Sequence, residues 1–113
     1  MLVATYVRTS MANGEQELKT QLTATREYCL RMGWEVVSEY VDTASGNDLS
    51  KRRQWHQLMN RCAKPNPGIE AICVFKLDRA FRLAKHRRDA LNIMEKNKIE
   101  LVSTTGEFDK STA

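Results

Sequence analysis

The chain predicts an α/β fold in three layers, α/β/α, with helices on both faces of a mostly parallel sheet of four to five strands. Three observations carry this. Leu2–Val7 and Ala71–Phe75 are apolar without alternation, as strands covered on both faces are. Helical periodicities stand between the strand-like segments. Strand and helix alternate along the chain, which joins parallel strands by crossover helices.

The elements follow in order. Leu2–Val7 (Leu2, Val3, Ala4, Tyr6, Val7) is a central strand. Leu18, Leu22, Thr25, Cys29 and Met32 recur at spacings of four, three, four and three, so Gln16–Met32 is an amphipathic helix. Gly33 closes it. Glu35–Val41 and Ile99–Ser103 are more mixed and fit strands nearer an edge. Trp55, Leu58, Met59 and Cys62 mark a second helix, and Pro65 and Pro67 bar its continuation. Leu83, Ala90, Leu91 and Met94 mark a third, ending near Asn97. Asn13–Glu15, Ser45–Ser50 and Lys64–Gly68 are loops by composition.

The 113 residues suit one domain over residues 1–113. No apolar run approaches the ~20 residues of a membrane span, and Leu2–Val7 lacks the flanks of a signal peptide. A cytoplasmic protein is expected, with no membrane partner. The net charge of +4 leans toward an anionic partner. Lys76–Arg88 holds Lys76, Arg79, Arg82, Lys85, Arg87 and Arg88 against Asp78, although a solvated helix face has the same look. Cys29, Cys62 and Cys73 read as reduced, buried small hydrophobes without zinc-site spacing. Neither G-x-x-x-x-G-K nor G-x-G-x-x-G occurs, so no nucleotide cofactor is expected.

Ligands of parallel sheets bind beyond the carboxyl ends of the strands. Those ends carry Arg8 and Ser10, then Asp42, Ser45 and Gly46, then Lys76, Asp78 and Arg79, then Thr104, Thr105 and Glu107. A hydroxyl beside one arginine, with a second arginine cluster on the same edge, suits attack on a phosphodiester. Each residue also has a plainer reading. Ser10 after a strand is commonly a cap, and Asp78 can cap the helix that follows. Arg79 and Arg82, three apart, share a face of a starting helix. Arg52 and Arg53 open the second helix against its dipole, which hints at a bound anion. His56 and His86 read as surface or packing residues. A rival chemistry would use Asp42, Asp78, Glu107 and Asp109 to hold magnesium. Against it, Arg79 directly follows Asp78, and the first strand ends in no carboxylate.

Taken in order, these strings resemble the serine recombinases, the resolvase–invertase–integrase family, over nearly the whole chain. Tyr6-Val7-Arg8-Thr9-Ser10 looks like the nucleophile segment, and Gln16–Gln21 like the first-helix string, with Gln21 at the active-site glutamine. Asp42-Thr43-Ala44-Ser45-Gly46 resembles D-x-x-S-G. Arg52, followed by Trp55, Leu58 and Met59, resembles R-P-x-L, although Arg53 or Gln54 stands where the family has proline. Lys76–Arg82 looks like K-L-D-R-L-S-R with Ala80-Phe81 for Leu-Ser, and Glu107–Ala113 like E-x-I-D-T-S-T-A.

The resemblance implies a strand order of 2-1-3-4, with a possible fifth, antiparallel strand. It implies DNA as partner and Ser10 as nucleophile through a 5′-phosphoserine link, with neither metal nor cofactor. Arg8, Arg79 and Arg82 would hold the phosphate, with Arg52 close by. Gln21 would orient the serine or phosphate, and Asp78 would position an arginine or help protonate the leaving oxygen. The full-length protein, prokaryotic or phage-encoded, would be a homodimer or tetramer, its dimerisation helix and DNA-binding domain lying outside this sequence. The competing expectations are a metal-dependent nuclease of similar fold and a non-catalytic oligomerisation module.

Overall fold

The computed structural model describes residues 1–9, 14–43, 51–81 and 83–106, the side chains of Asp78 and Arg79 excepted. The order is β1 (Leu2–Thr9), α1 (Gly14–Arg31), β2 (Glu35–Thr43), α2 (Arg53–Ala63), β3 (Ala71–Val74), α3 (Leu77–Ala80), α4 (Ala84–Glu95) and β4 (Glu100–Ser103). The four strands form one parallel sheet in the order β2-β1-β3-β4, as expected. No fifth strand occurs among the described residues.

The sheet separates two cores. Ala4, Tyr6, Ile72, Val74 and Leu101 pack on one face against α2 and α4, through Trp55, Leu58, Cys62, Leu91 and Met94. Val3, Ala71, Cys73 and Val102 pack on the other against Tyr28 and Cys29 of α1. These are the three layers. Cys29, Cys62 and Cys73 are all free and buried. Among the described residues no helix is long and apolar enough to cross a membrane.

α1 departs from its expected face. Its buried residues are Gln21, Thr25, Tyr28 and Cys29, while Met32 is 45% exposed and Leu30 79%. Thr25 and Cys29 stand on the expected stripe, whereas Gln21 and Tyr28 do not, and Gln21 is drawn in because it bonds the backbone of β1. The ends of α1 follow the dipole, with Glu15 and Glu17 in the first turn and Arg31 in the last. Gly33, at φ +76°, turns the chain out of it.

The helix that carries Arg79 ends before α4 begins, and Arg82 lies outside the described residues. α3 is one turn, and Phe81 at its end is extended, with φ −134° and ψ 121°. Burial of the Phe81 ring against Trp55 (centroids 5.1 Å apart) takes the chain out of helical geometry. Asp78 lies inside α3 and does not cap α4, whose N-cap position is Leu83.

β2 carries a bulge. Val3 pairs with Val36 but Ala4 with Ser38, so Val37 is the extra residue. Strand side chains alternate faces, and the bulge resets that alternation. Val36 packs on the α1 side, whereas Tyr40 packs on the α2 side. Deleting Val37 forces one end of β2 to turn over. Turning the carboxyl end would strip Asp42 of its partners, at about 1–3 kcal/mol for each buried group left unpaired. Turning Val36 out costs less, since a full valine burial is worth about 1.5–3 kcal/mol. The Val37 deletion is therefore expected to fold, with stability reduced by about 1–3 kcal/mol in a denaturant titration. A chain that fails to fold would mean that the inversion reaches Asp42.

Candidate active site

The site begins with a difference in strand length. β3 stops at Val74 opposite Tyr6, whereas β1 and β2 run on together to Thr9 and Thr43. Arg8 and Asp42 are cross-strand partners on this overhang. Both lie on the α2 side, two residues beyond Tyr6 and Tyr40 respectively. The step left by the short β3 lies beside α3.

With β3 ended, Arg8 has no strand partner on that side. Gln21 substitutes for one. Its Nε2 donates to the Arg8 carbonyl at 2.9 Å, and its Oε1 accepts from the Arg8 N–H at 3.3 Å. A second bond from Nε2 to Glu17 Oε1, at 3.3 Å, steadies the amide. Gln21 thus fixes the backbone two residues before Ser10. This is where the structure places the expected active-site glutamine.

Asp42 ties three elements. Its Oδ1 accepts from the Gln54 N–H at 2.9 Å, and its Oδ2 from the Trp55 N–H at 2.9 Å and the Tyr6 hydroxyl at 3.0 Å. α2 has no acidic residue in its first turn, and Arg52 at its N-cap makes no side-chain cap. A carboxylate from a neighbouring strand supplies both the acceptor and the negative charge that the helix start favours. This accounts for the tolerance of Arg52 and Arg53 there.

Arg52 is wholly buried, at 0% exposure. Its Nη1 donates to the carbonyl of Ala80, the last residue of α3. Its guanidinium also acts on the Tyr6 hydroxyl, as does Asp42. Arg53, its neighbour, is exposed. Arg8 is 7% exposed. Ser10, Arg82, Glu107 and Asp109 lie outside the described residues, as do the side chains of Asp78 and Arg79. The structure thus gathers Arg8, Gln21 and Arg52 at one edge, and adds Tyr6 and Asp42. The hydroxyl role of Tyr6 had no local signal, since its partner lies 36 residues away.

Burial raises the Tyr6 phenol above its ordinary value of 10; the Arg52 charge opposes this and the Asp42 charge adds to it. Burial likewise pushes the Cys62 thiol up to about 11 from 9. In the unfolded chain both groups release their protons earlier, so the folded state binds more protons at alkaline pH. Stability is then full below the unfolded values and falls as pH rises above them. Loss is expected to start near pH 9 with Cys62 and steepen above pH 10 with Tyr6. Each group contributes about 1.4 kcal/mol per pH unit while its two states differ. Urea titrations from pH 8 to 11 measure the slope, and Tyr6→Phe is expected to flatten it above pH 10.

Comparison with known proteins bears on this geometry. The family model "Resolvase, N terminal domain" matches residues 3–113. The catalytic domain of TP901-1 integrase is 30% identical with a TM-score of 0.74, over 93% of this chain and 78% of that one. A resolvase family site-specific recombinase from Streptococcus pneumoniae is 26% identical with a TM-score of 0.83, over 98% and 77%. The catalytic domain of ISC1926 TnpA, an IS607-like serine recombinase, shares the fold at 18% identity and a TM-score of 0.79, over 94% and 72%. No curated protein sequence matches the chain. The chain belongs to the resolvase family of serine recombinases.

Proposed function

We propose that the protein breaks and rejoins DNA strands in site-specific recombination, with Ser10 as the nucleophile. Ser10 Oγ attacks phosphorus in line. The bond to the 3′-oxygen breaks, that oxygen leaves with a proton, and a 5′-phosphoserine ester remains. Attack by a 3′-hydroxyl on that ester reverses the step and releases Ser10. The ester keeps the bond energy, so rejoining needs no nucleotide. Arg8, Arg79 and Arg82 bind the non-bridging oxygens as charge develops on them. Asp78 positions an arginine or serves the leaving oxygen.

The observation that carries this reading is the tie at the sheet edge. Gln21 holds the backbone of Arg8, while Arg52 holds that of Ala80, next but one to Arg82. Two segments distant in sequence are thereby anchored on either side of the step beyond β3. Gln21 and Arg52 then act as positioning residues. Both oxygens of Asp42, the described member of the rival carboxylate set, accept from protein donors. The working unit is a homodimer or tetramer of a longer protein that carries a dimerisation helix and a DNA-binding domain.

The test is covalent trapping. Full-length protein is incubated with labelled duplex carrying its site and then denatured. The expected product is a labelled protein band that survives denaturation, forms equally in EDTA and yields a phosphoserine peptide at Ser10. Cleavage that requires a divalent ion and leaves no protein–DNA band would sink the reading.

A further inference from the structure

The outward face of α2 carries a second feature. Buried Trp55, Leu58, Met59 and Cys62 form its inner stripe. At about 100° per residue, Arg53, Gln57, Asn60 and Lys64 fall together on the opposite side. All four are exposed. Each is a hydrogen-bond donor, and none of the four side chains has a partner among the described residues. Residues 51–69 contain no Asp or Glu. An exposed helix ordinarily mixes both signs, often as i,i+4 pairs. α1 does so, with Glu15, Glu17, Lys19, Arg26 and Glu27.

The stripe has direction. α2 begins beside Asp42 at the carboxyl edge of the sheet, where the active site is placed. Its other end leads to an open groove of about 400 Å³, lined by Gln57, Asn60, Lys64 and Asn66 among others. Arg61 borders this groove, and its Nη1 is held by Ser38 Oγ at 2.9 Å and Tyr40 OH at 3.2 Å. From Arg53 to Lys64 the rise is about 16 Å. Over that length one strand of duplex DNA presents about five phosphates.

We propose that this face is a track for the phosphate backbone of duplex DNA flanking the cleaved bond, running from the active-site edge along α2 to the groove. The proposal rests on DNA being the substrate of the site. Arginine and lysine neutralise phosphates there, and the Gln57 and Asn60 amides donate to phosphate oxygens. Such contacts position the duplex without reading its sequence.

The experiment compares three full-length proteins binding a 40-base-pair duplex that carries the site, over a range of salt concentrations. They are wild type, the stripe variant Arg53→Gln/Lys64→Gln, and the control Lys19→Gln/Arg31→Gln on α1, across the sheet. Both variants remove two exposed cations, and melting curves check that each folds. Loss of two phosphate contacts is expected to reduce the slope of log K against log salt by about 1.8 in the stripe variant, with the control near wild type. A stripe variant indistinguishable from the control overturns the track and leaves DNA as substrate intact. A wild type that binds no duplex overturns the track together with the reading beneath it.

Discussion

Ser10→Ala is expected to remove the covalent protein–DNA adduct entirely. Among the described residues, the hydroxyls of Thr9 and Tyr6 cannot take over. Thr9 is 1% exposed, and its Oγ1 lies 3.4 Å from Thr43 Oγ1 as a hydrogen-bonded pair. The neighbouring Tyr6 hydroxyl is buried and donates to Asp42. The arginines are expected to behave differently. Removing one preorganised donor typically costs about 2.7–4 kcal/mol, or ~10²–10³ in rate. Arg8→Ala, Arg79→Ala and Arg82→Ala should therefore slow adduct formation without abolishing it. The variant lacks one oxygen, so its thermal stability should stay within about 0.5 kcal/mol of wild type. The measurement is the initial rate of adduct formation for the four variants, with melting curves beside it. Cleavage that persists in folded Ser10→Ala would remove serine from the mechanism.

Much of this was legible in the sequence for definite reasons. Unbroken apolarity marked β1 and β3 as central strands. Trp55, Leu58, Met59 and Cys62 marked the inner face of α2, and all four are buried. What failed depended on contacts between distant segments. The inner face of α1 reads as Leu18, Leu22, Thr25, Cys29 and Met32 if periodicity is counted; Thr25 and Cys29 are buried, but a glutamine is held beside them by the backbone of β1. The bulge at Val37 leaves no mark in Glu35-Val36-Val37-Ser38, because Val36 and Val37 are equally apolar. Asp42 was legible as a carboxylate at a strand end, and its type fits a metal as well as it fits a cap. Only the positions of Gln54 and Trp55 decide between these. Arg52 followed the same rule: at a helix start it suggested a bound anion, but it lies buried with the Asp42 carboxylate in the same cluster.

That cluster leads to the largest expected effect on stability. Asp42→Ala deletes three accepted hydrogen bonds at once. The two at the start of α2 form a helix cap, whose loss costs about 0.5–2 kcal/mol. The third leaves the buried Tyr6 hydroxyl without its acceptor, at about 1–3 kcal/mol. The sum, about 1.5–5 kcal/mol, is a large part of the ~5–15 kcal/mol that holds a domain together. The buried Arg52 guanidinium, which acts on the same Tyr6 hydroxyl as Asp42, then lacks that opposite charge nearby, which moves the result toward the upper end. A fall in Tm of at least about 10 °C is expected. Asp42→Asn keeps one acceptor oxygen and should fall between, whereas Tyr6→Phe, which leaves the cap intact, should cost about 1–2 kcal/mol. The order matters more than the values, because a merely charged surface aspartate would place all three near wild type. Function should follow through geometry. With α2 uncapped, Arg52 is no longer fixed against the Ala80 carbonyl, and the segment carrying Arg79 and Arg82 loses its anchor. Adduct formation by Asp42→Asn, assayed well below its melting temperature, is therefore expected to slow even though both Asp42 oxygens are engaged by protein donors. If the variant melts early but cleaves at the wild-type rate, the cluster stabilises the fold and leaves the arginines where they are.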